Sequence, residues 1–267
     1  MATPQDPLNP YAPPKASILE AAPAGHEAFV AEGQKVAPGR GITWFGEAWK
    51  LFMGAPGIWI AVFVIFMLMT LVLAIIPLGS LVSSLLYPVF TAGLMLGCRE
   101  LESGGPLELA HLFAGFKKNT GNLILVGLLY LVGVVVIGIM VGIAAAISIA
   151  LLAPGAALGG DMASMMVMIP LFLLIFLVML ALMLPLIMAI WFAPALVVFH
   201  DLQPMAAMKA SFAGCLKNIV PFLLYGLVGL GLAILAAIPF GLGFLVYGPV
   251  VWASMYTGYR DIYVRHG

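Results

Sequence analysis

The chain has 267 residues, of which 64% are hydrophobic and 8% charged, with a mean hydropathy of +1.16 and a formal net charge of zero. No soluble domain of that length is so apolar, and the bilayer must be the solvent for most of it. With no excess of positive charge there is no case for nucleic-acid binding.

Residues 1–41 are polar and Pro-rich (Pro4, Pro7, Pro10, Pro13, Pro14), where a secretory signal needs a basic start and then an apolar run. They are read as a disordered cytoplasmic tail, whose 9–14 stretch favours extended polyproline geometry and could dock a cytoplasmic protein partner. The rest, 42–267, is read as a membrane domain. Run 51–98 carries no charge and as helix extends roughly 70 Å at ~1.5 Å per residue, two passes of a ~30 Å hydrocarbon layer with a turn at Pro77 and Gly79. Run 218–259 repeats this with its break at Pro239 and Gly241. Between them, 119–199 is read as one tall hairpin that tilts or projects beyond the bilayer around 154–168. Six spans follow, with eight as the alternative.

Lys and Arg side chains occur only at Lys15, Lys35, Arg40 and Lys50; Arg99, Lys117 and Lys118; Lys209 and Lys217; and Arg260 and Arg265. The turns around Pro77, Asp161 and Pro239 have none. By the positive-inside rule the basic segments and both termini are cytoplasmic. Cys98 and Cys215 then sit at cytoplasmic ends, as free buried thiols.

The hairpins read as copies of one unit. Pro88-Val89-x-x-Ala92-x-x-x-x-Gly97-x-Arg99-Glu100 returns as Pro249-Val250-x-x-Ala253-x-x-x-x-Gly258-x-Arg260-Asp261, and Phe113-Ala114-Gly115-x-x-Lys118-Asn119 as Phe212-Ala213-Gly214-x-x-Lys217-Asn218. Matches in consistent order suggest triplication, with units 42–101, 106–201 and 204–263. Each unit begins and ends on the same side, so the copies are parallel and inverted-repeat transporters are not the pattern. The expected fold is an all-α integral membrane protein of six transmembrane helices in three parallel hairpin repeats, each preceded by an amphipathic helix on the cytoplasmic face.

Those surface helices align Ile42, Phe45, Trp49 and Phe52 in the first unit; Leu109, Leu112, Phe113 and Phe116 after Pro106 in the second; and Met205, Met208, Phe212 and Cys215 or Leu216 after Pro204 in the third. Trp49, Phe52, Phe113, Phe116, Lys117, Lys118, Phe212 and Lys217 are candidate anchors to membrane lipids; the helices serve either to grip anionic lipid or simply as connectors.

The pairs Arg99-Glu100, His200-Asp201 and Arg260-Asp261 end the three units. Around a common axis they would meet at the cytoplasmic mouth and could gate a pathway; alternatively they are helix-terminal charges that offset the dipole and reach water. His200-Asp201 has no nucleophile or metal-ligand partner, His26, His111 and His266 are scattered, and no Cys-x-x-Cys or His-Glu-x-x-His occurs. Neither catalysis nor a metal or cofactor is expected. The spans hold no Asp, Glu, Lys, Arg or His, which argues against proton coupling. The thioethers of Met162, Met165, Met166 and Met168 could bind Cu(I), but Met more commonly fills apolar space. Gly93-x-x-x-Gly97 and Gly138-x-x-x-Gly142 permit close helix approach, within the chain or in a dimer.

The segment 191–201 (Trp-Phe-Ala-Pro-Ala-Leu-Val-Val-Phe-His-Asp), followed by Ala207-Met208-Lys209, Phe212, the Pro239-Phe240-Gly241-Leu242-Gly243 turn and Tyr259-Arg260-Asp261, resembles uncharacterised multi-span inner-membrane proteins of bacteria, the YciC-like group. The resemblance covers about residues 42–263 and implies a bacterial inner (plasma) membrane placement, with no activity to transfer. A triplicated two-span unit is also similar to mitochondrial carriers, but their Pro-x-Asp/Glu-x-x-Lys/Arg signature is missing. Two functional classes follow: a membrane scaffold or regulator, favoured by the lack of buried ionisable groups, and a permease or exporter of apolar or lipid-like molecules.

Overall fold

Leu, Ile, Val and Phe in unbroken runs dictate long helices, and Pro and Gly set where those helices stop. The computed structural model describes residues 28–152 and 162–265. Helix α1 (Arg40–Gly54) ends two residues before Pro56, which opens α2 (Pro56–Ile75); the turn 76–79, with Leu78 at φ 65°, leads into α3 (Gly79–Glu102). A 3-10 helix (Leu109–Phe116) precedes α4 (Thr120–Leu152), and α5 (Met162–Trp191) continues into the short α6 (Ala193–His200). Then come α7 (Pro204–Lys217), α8 (Ile219–Ala237) and α9 (Phe244–Tyr263). A two-residue ribbon pairs β1 (Ala28–Phe29) antiparallel with β2 (Val264–Arg265).

Among the described residues five helices are long and apolar enough to cross a membrane: Pro56–Ile75, Gly79–Glu102, Thr120–Leu151, Met165–His200 and Ile219–Ala237. They divide by burial. The α2 span is 11% buried and the Met165–His200 span 6%, so their Leu, Ile and Val side chains face outward, whereas α3 is 56% buried and lies inside the bundle. Helix α9 is as long as α2 but not as apolar. It buries Trp252, Tyr256, Thr257, Tyr259 and Tyr263 against other helices, where hydroxyls find partners: Ser254 Oγ lies 2.8 Å from the Tyr225 hydroxyl, and Thr257 Oγ1 donates to the Trp44 carbonyl at 3.0 Å.

Four expectations change. Residues 28–39, grouped with the tail by composition, are ordered against α7 and α9: Val30 N–H donates to the Tyr263 carbonyl at 2.9 Å, Gln34 N–H to Ile262 at 2.8 Å, and Asn218 holds Gln34 and Val36. Gly33, at φ 68°, lets the strand pass close to Gly214. The surface helix of the second unit is 3-10, not α. Pro106 stays outside it, His111 Nδ1 accepts the Glu108 N–H at 3.0 Å as a cap, and only Leu112 of the proposed apolar face is buried. In α1 the buried face is Trp44, Phe45, Ala48 and Phe52, with Ile42 and Trp49 each 48% exposed. The Met165–His200 span breaks at Trp191–Phe192, because Pro194 removes an N–H from the ladder; Ser211 fills the gap, donating to the Met188 carbonyl at 2.7 Å and accepting the Phe192 N–H at 2.9 Å. Gly93 and Gly97 pack against the 3-10 helix, while Gly138 and Gly142 on α4 meet nothing. The polyproline stretch, His26, His266 and most of the 154–168 projection lie outside the described residues.

Candidate functional site

Helices α3, α6 and α9 end side by side, and their last turns bring Arg99, His200 and Arg260 onto one cleft of about 130 Å³. Tyr256 and Tyr259 line it from α9, Phe199 from α6, and Phe29 and Val264 of the ribbon border it. Arg99 lies 5.2 Å over the Phe199 ring. The His200 imidazole stacks on Phe29 at 3.6 Å, with Nε2 2.6 Å from the Tyr259 hydroxyl.

The acidic members of the three pairs turn elsewhere. Asp201, at φ 54°, accepts from Asn119 Nδ2 at 2.6 Å and lies 4.0 Å from Lys118 Nζ. Asp261 accepts from Arg40 Nε at 2.6 Å and from the Trp44 indole at 2.9 Å, and Glu100 folds back over Gly105. Arg40 also reaches Glu47 at 2.8 Å, Glu47 takes Arg260 at 2.8 Å, and Arg260 pairs further with Glu102, which accepts the Tyr256 hydroxyl at 2.6 Å. An alternating ladder of five charges thereby ties the start of α1 to the ends of α3 and α9. Hydrogen bonding to Asp261 raises the Arg40 pKa further above its ordinary value, with burial opposing. Arg40, Glu47 and Glu102 escaped the sequence reading because, apart from the Arg40–Glu47 contact within α1, their partners are remote in the chain.

The expected lipid anchors divide. Trp49 is outward and stacks on the buried Phe52 at 5.4 Å; Phe113 and Phe116 are exposed by 43% and 41% and touch Phe90 edge-on; Lys117 is exposed. Phe212 is half-buried. Lys118 lies toward Asp201, and Lys217 donates to the Glu32 and Gly33 carbonyls at 3.1 and 3.2 Å, so Lys217 clamps the amino-terminal segment. Both thiols are free and buried, and burial pushes the Cys215 thiol up to about 12.

A second cavity, of about 470 Å³ and partly open, lies between α2, α3, α4 and α5, with Pro194 of α6 and Met255 of α9 completing its wall. Its walls include Phe66, Ile187, Trp191, Pro194 and Met255, with hydroxyl-bearing Thr70, Ser83, Ser84, Tyr87, Thr91 and Tyr130. The signal was in the sequence: Ser80, Ser84, Tyr87 and Thr91 recur at helical spacing, one polar stripe on an otherwise apolar helix. Between Thr91 and Arg99, about 12 Å along α3 at ~1.5 Å per residue, Leu94 and Met95 are buried, as are Leu196 and Val197 between Pro194 and Phe199 of α6, each no more than 1% exposed.

A probable inner membrane protein of Burkholderia thailandensis is 27% identical to the chain over 251 residues, 86% of this chain and 93% of that protein. No protein-family model and no solved structure matches the chain. Together with the five apolar helices, the likeness makes this an integral membrane protein with an inner-membrane relative.

Proposed function

We propose that the protein holds an amphiphilic, lipid-like small molecule in the large cavity, as a permease or exporter of such molecules would. The observation that carries this is the cavity itself: its volume lies within the range of ligand sites, and its walls join apolar side chains to a hydroxyl stripe suited to a molecule with one polar end. Filled interior separates it from the charged cleft on the same helices, as alternating access requires of a closed barrier. No catalytic step belongs to this reading.

The same reading takes the chain as six-spanning, in three parallel hairpins of a bacterial inner-membrane, YciC-like protein with its basic end in the cytoplasm. Ribbon pairing of β1 with β2 supports the even number: a chain whose two ends meet on one face crosses an even number of times, and five apolar helices then need α9 as the sixth.

The test is native mass spectrometry of protein released from its own membranes. Wild type is expected to carry a lipid-like molecule that Ser84→Trp, which fills the cavity, no longer retains, while Leu177→Trp on the outward face of α5 retains it. Equal retention by all three sinks the proposal. A scaffold role through residues 1–27 is the second reading, favoured by the ribbon, which fixes the root of that tail beside the surface helices. Deleting 1–27 would then remove a co-purifying protein and leave the retained small molecule unchanged.

A further inference from the structure

The charged cleft carries an inference independent of the amphiphile reading. Two arginines, Arg99 and Arg260, the His200 imidazole and two tyrosines line a space of about 130 Å³. The carboxylates nearby are disposed differently: Asp201 pairs with Asn119 and Lys118, Asp261 with Arg40 and Trp44, Glu100 lies over Gly105, and Glu47 and Glu102 both pair with Arg260 in the cleft wall. Among the described residues no carboxylate pairs with Arg99, yet its guanidinium is not free to wander, since the Phe199 ring lies under it at 5.2 Å. A planar fork of donors held in place over a ring and without a carboxylate partner is suited to phosphate oxygens, while Arg260 beside it is already paired with Glu47 and Glu102. The space suits a group of that size, and the apolar rings of Phe29 and Phe199 reduce the water that would compete for it.

We infer that this cleft is a binding site for a phosphate group, with Arg99 as its principal donor, His200, Tyr259 and Arg260 around it, and Phe29 of the ribbon as its roof. The phosphate comes either from an anionic phospholipid headgroup or from a soluble phosphate.

The experiment uses the full chain and two probes. Wild type is reconstituted in nanodiscs of phosphatidylcholine mixed with phosphatidylglycerol, and native mass spectrometry counts the phosphatidylglycerol retained. In parallel, inorganic phosphate is titrated against chloride at matched ionic strength in detergent, with thermal stability as the readout. Arg99→Gln is expected to weaken whichever probe binds by roughly tenfold or more, the effect of losing a charge-assisted hydrogen-bond donor. Arg99→Lys should recover part of it, and Arg265→Gln, outside the cleft, should change nothing. Phosphatidylglycerol lost only in Arg99→Gln assigns a headgroup site; phosphate stabilisation lost only there assigns a soluble ligand. If neither probe binds wild type, or if Arg99→Gln and Arg265→Gln behave alike, the inference is overturned. Thermal melting of Arg99→Gln without phosphate separates ligand loss from misfolding, and amphiphile retention in Arg99→Gln reports separately on the large cavity.

Discussion

Asn218 shows how one buried amide organises the basic end. Fully buried, it accepts the Val36 N–H at 2.9 Å and donates to the Gln34 and Gly214 carbonyls, both at 2.9 Å. Its Lys-Asn motif stands out in the sequence because 118–119 repeats it, but the two asparagines do different work. Asn119, at φ 55°, binds Asp201 and the Val197 carbonyl instead. The residues were legible and most of their partners were not, since all but Gly214 lie 78 or more positions away in the chain. Asn218→Ala leaves a buried N–H and two carbonyls with one partner fewer, at about 2–3 kcal/mol. The expected result is faster hydrogen exchange across residues 28–36 and a lower melting temperature, with exchange in α4 unchanged; uniform exchange would mean that the segment is held by other contacts.

At the level of the helices, breaks were read well and faces poorly. The turns at 76–79 and 238–243 fall where Pro and Gly place them, with Phe240 and Gly241 both at positive φ. The faces of α1 and the 3-10 helix failed because both carry apolar side chains on more than one side, Ile42, Trp49 and Met53 exposed opposite the buried Trp44, Phe45, Ala48 and Phe52, so periodicity alone does not pick the buried one. Outward surfaces are made of Leu, Ile, Val, Met and Phe; the protein-facing surfaces add Gly, Ala, Ser, Tyr and Trp to the same apolar types. The 3-10 helix follows the same logic, since Gly115 lies against the Val89 carbonyl and Gly93 against that of His111, at distances no side chain permits. Gly115→Ala therefore forces the two elements apart and should cost about 1–3 kcal/mol. Gly138→Ala has open space and should be neutral or stabilising by up to about 1 kcal/mol through helix propensity. Thermal melting of the pair in one detergent checks this, and equal destabilisation would show that α4 has a partner at Gly138.

For the whole molecule the deciding relation is between its two ends. Antiparallel pairing of Ala28 with Arg265 and of Phe29 with Val264, continued by the Val30 N–H on the Tyr263 carbonyl at 2.9 Å, ties the segment before α1 to the segment after α9. Surface elements α1, α7 and the 3-10 helix do not alter the count of crossings: α1 has 15 residues and carries Glu47 and Lys50, α7 has 14 with Lys209 within it, and the 3-10 helix has 8. Each is shorter than the roughly 20 apolar residues that a span needs. In the proposed topology, the turns 76–79 and 238–243 then lie on one side of the membrane, with Arg40, Arg99 and Arg265 on the other. Replacing Cys98 and Cys215 with Ala and adding a single cysteine at Gly241 or at Ser103 makes this measurable with a membrane-impermeant maleimide on intact cells. Gly241→Cys is expected to label from outside, and Ser103→Cys only after permeabilisation. If both label from the same side, α9 does not cross, and the parity argument from the ribbon fails with it.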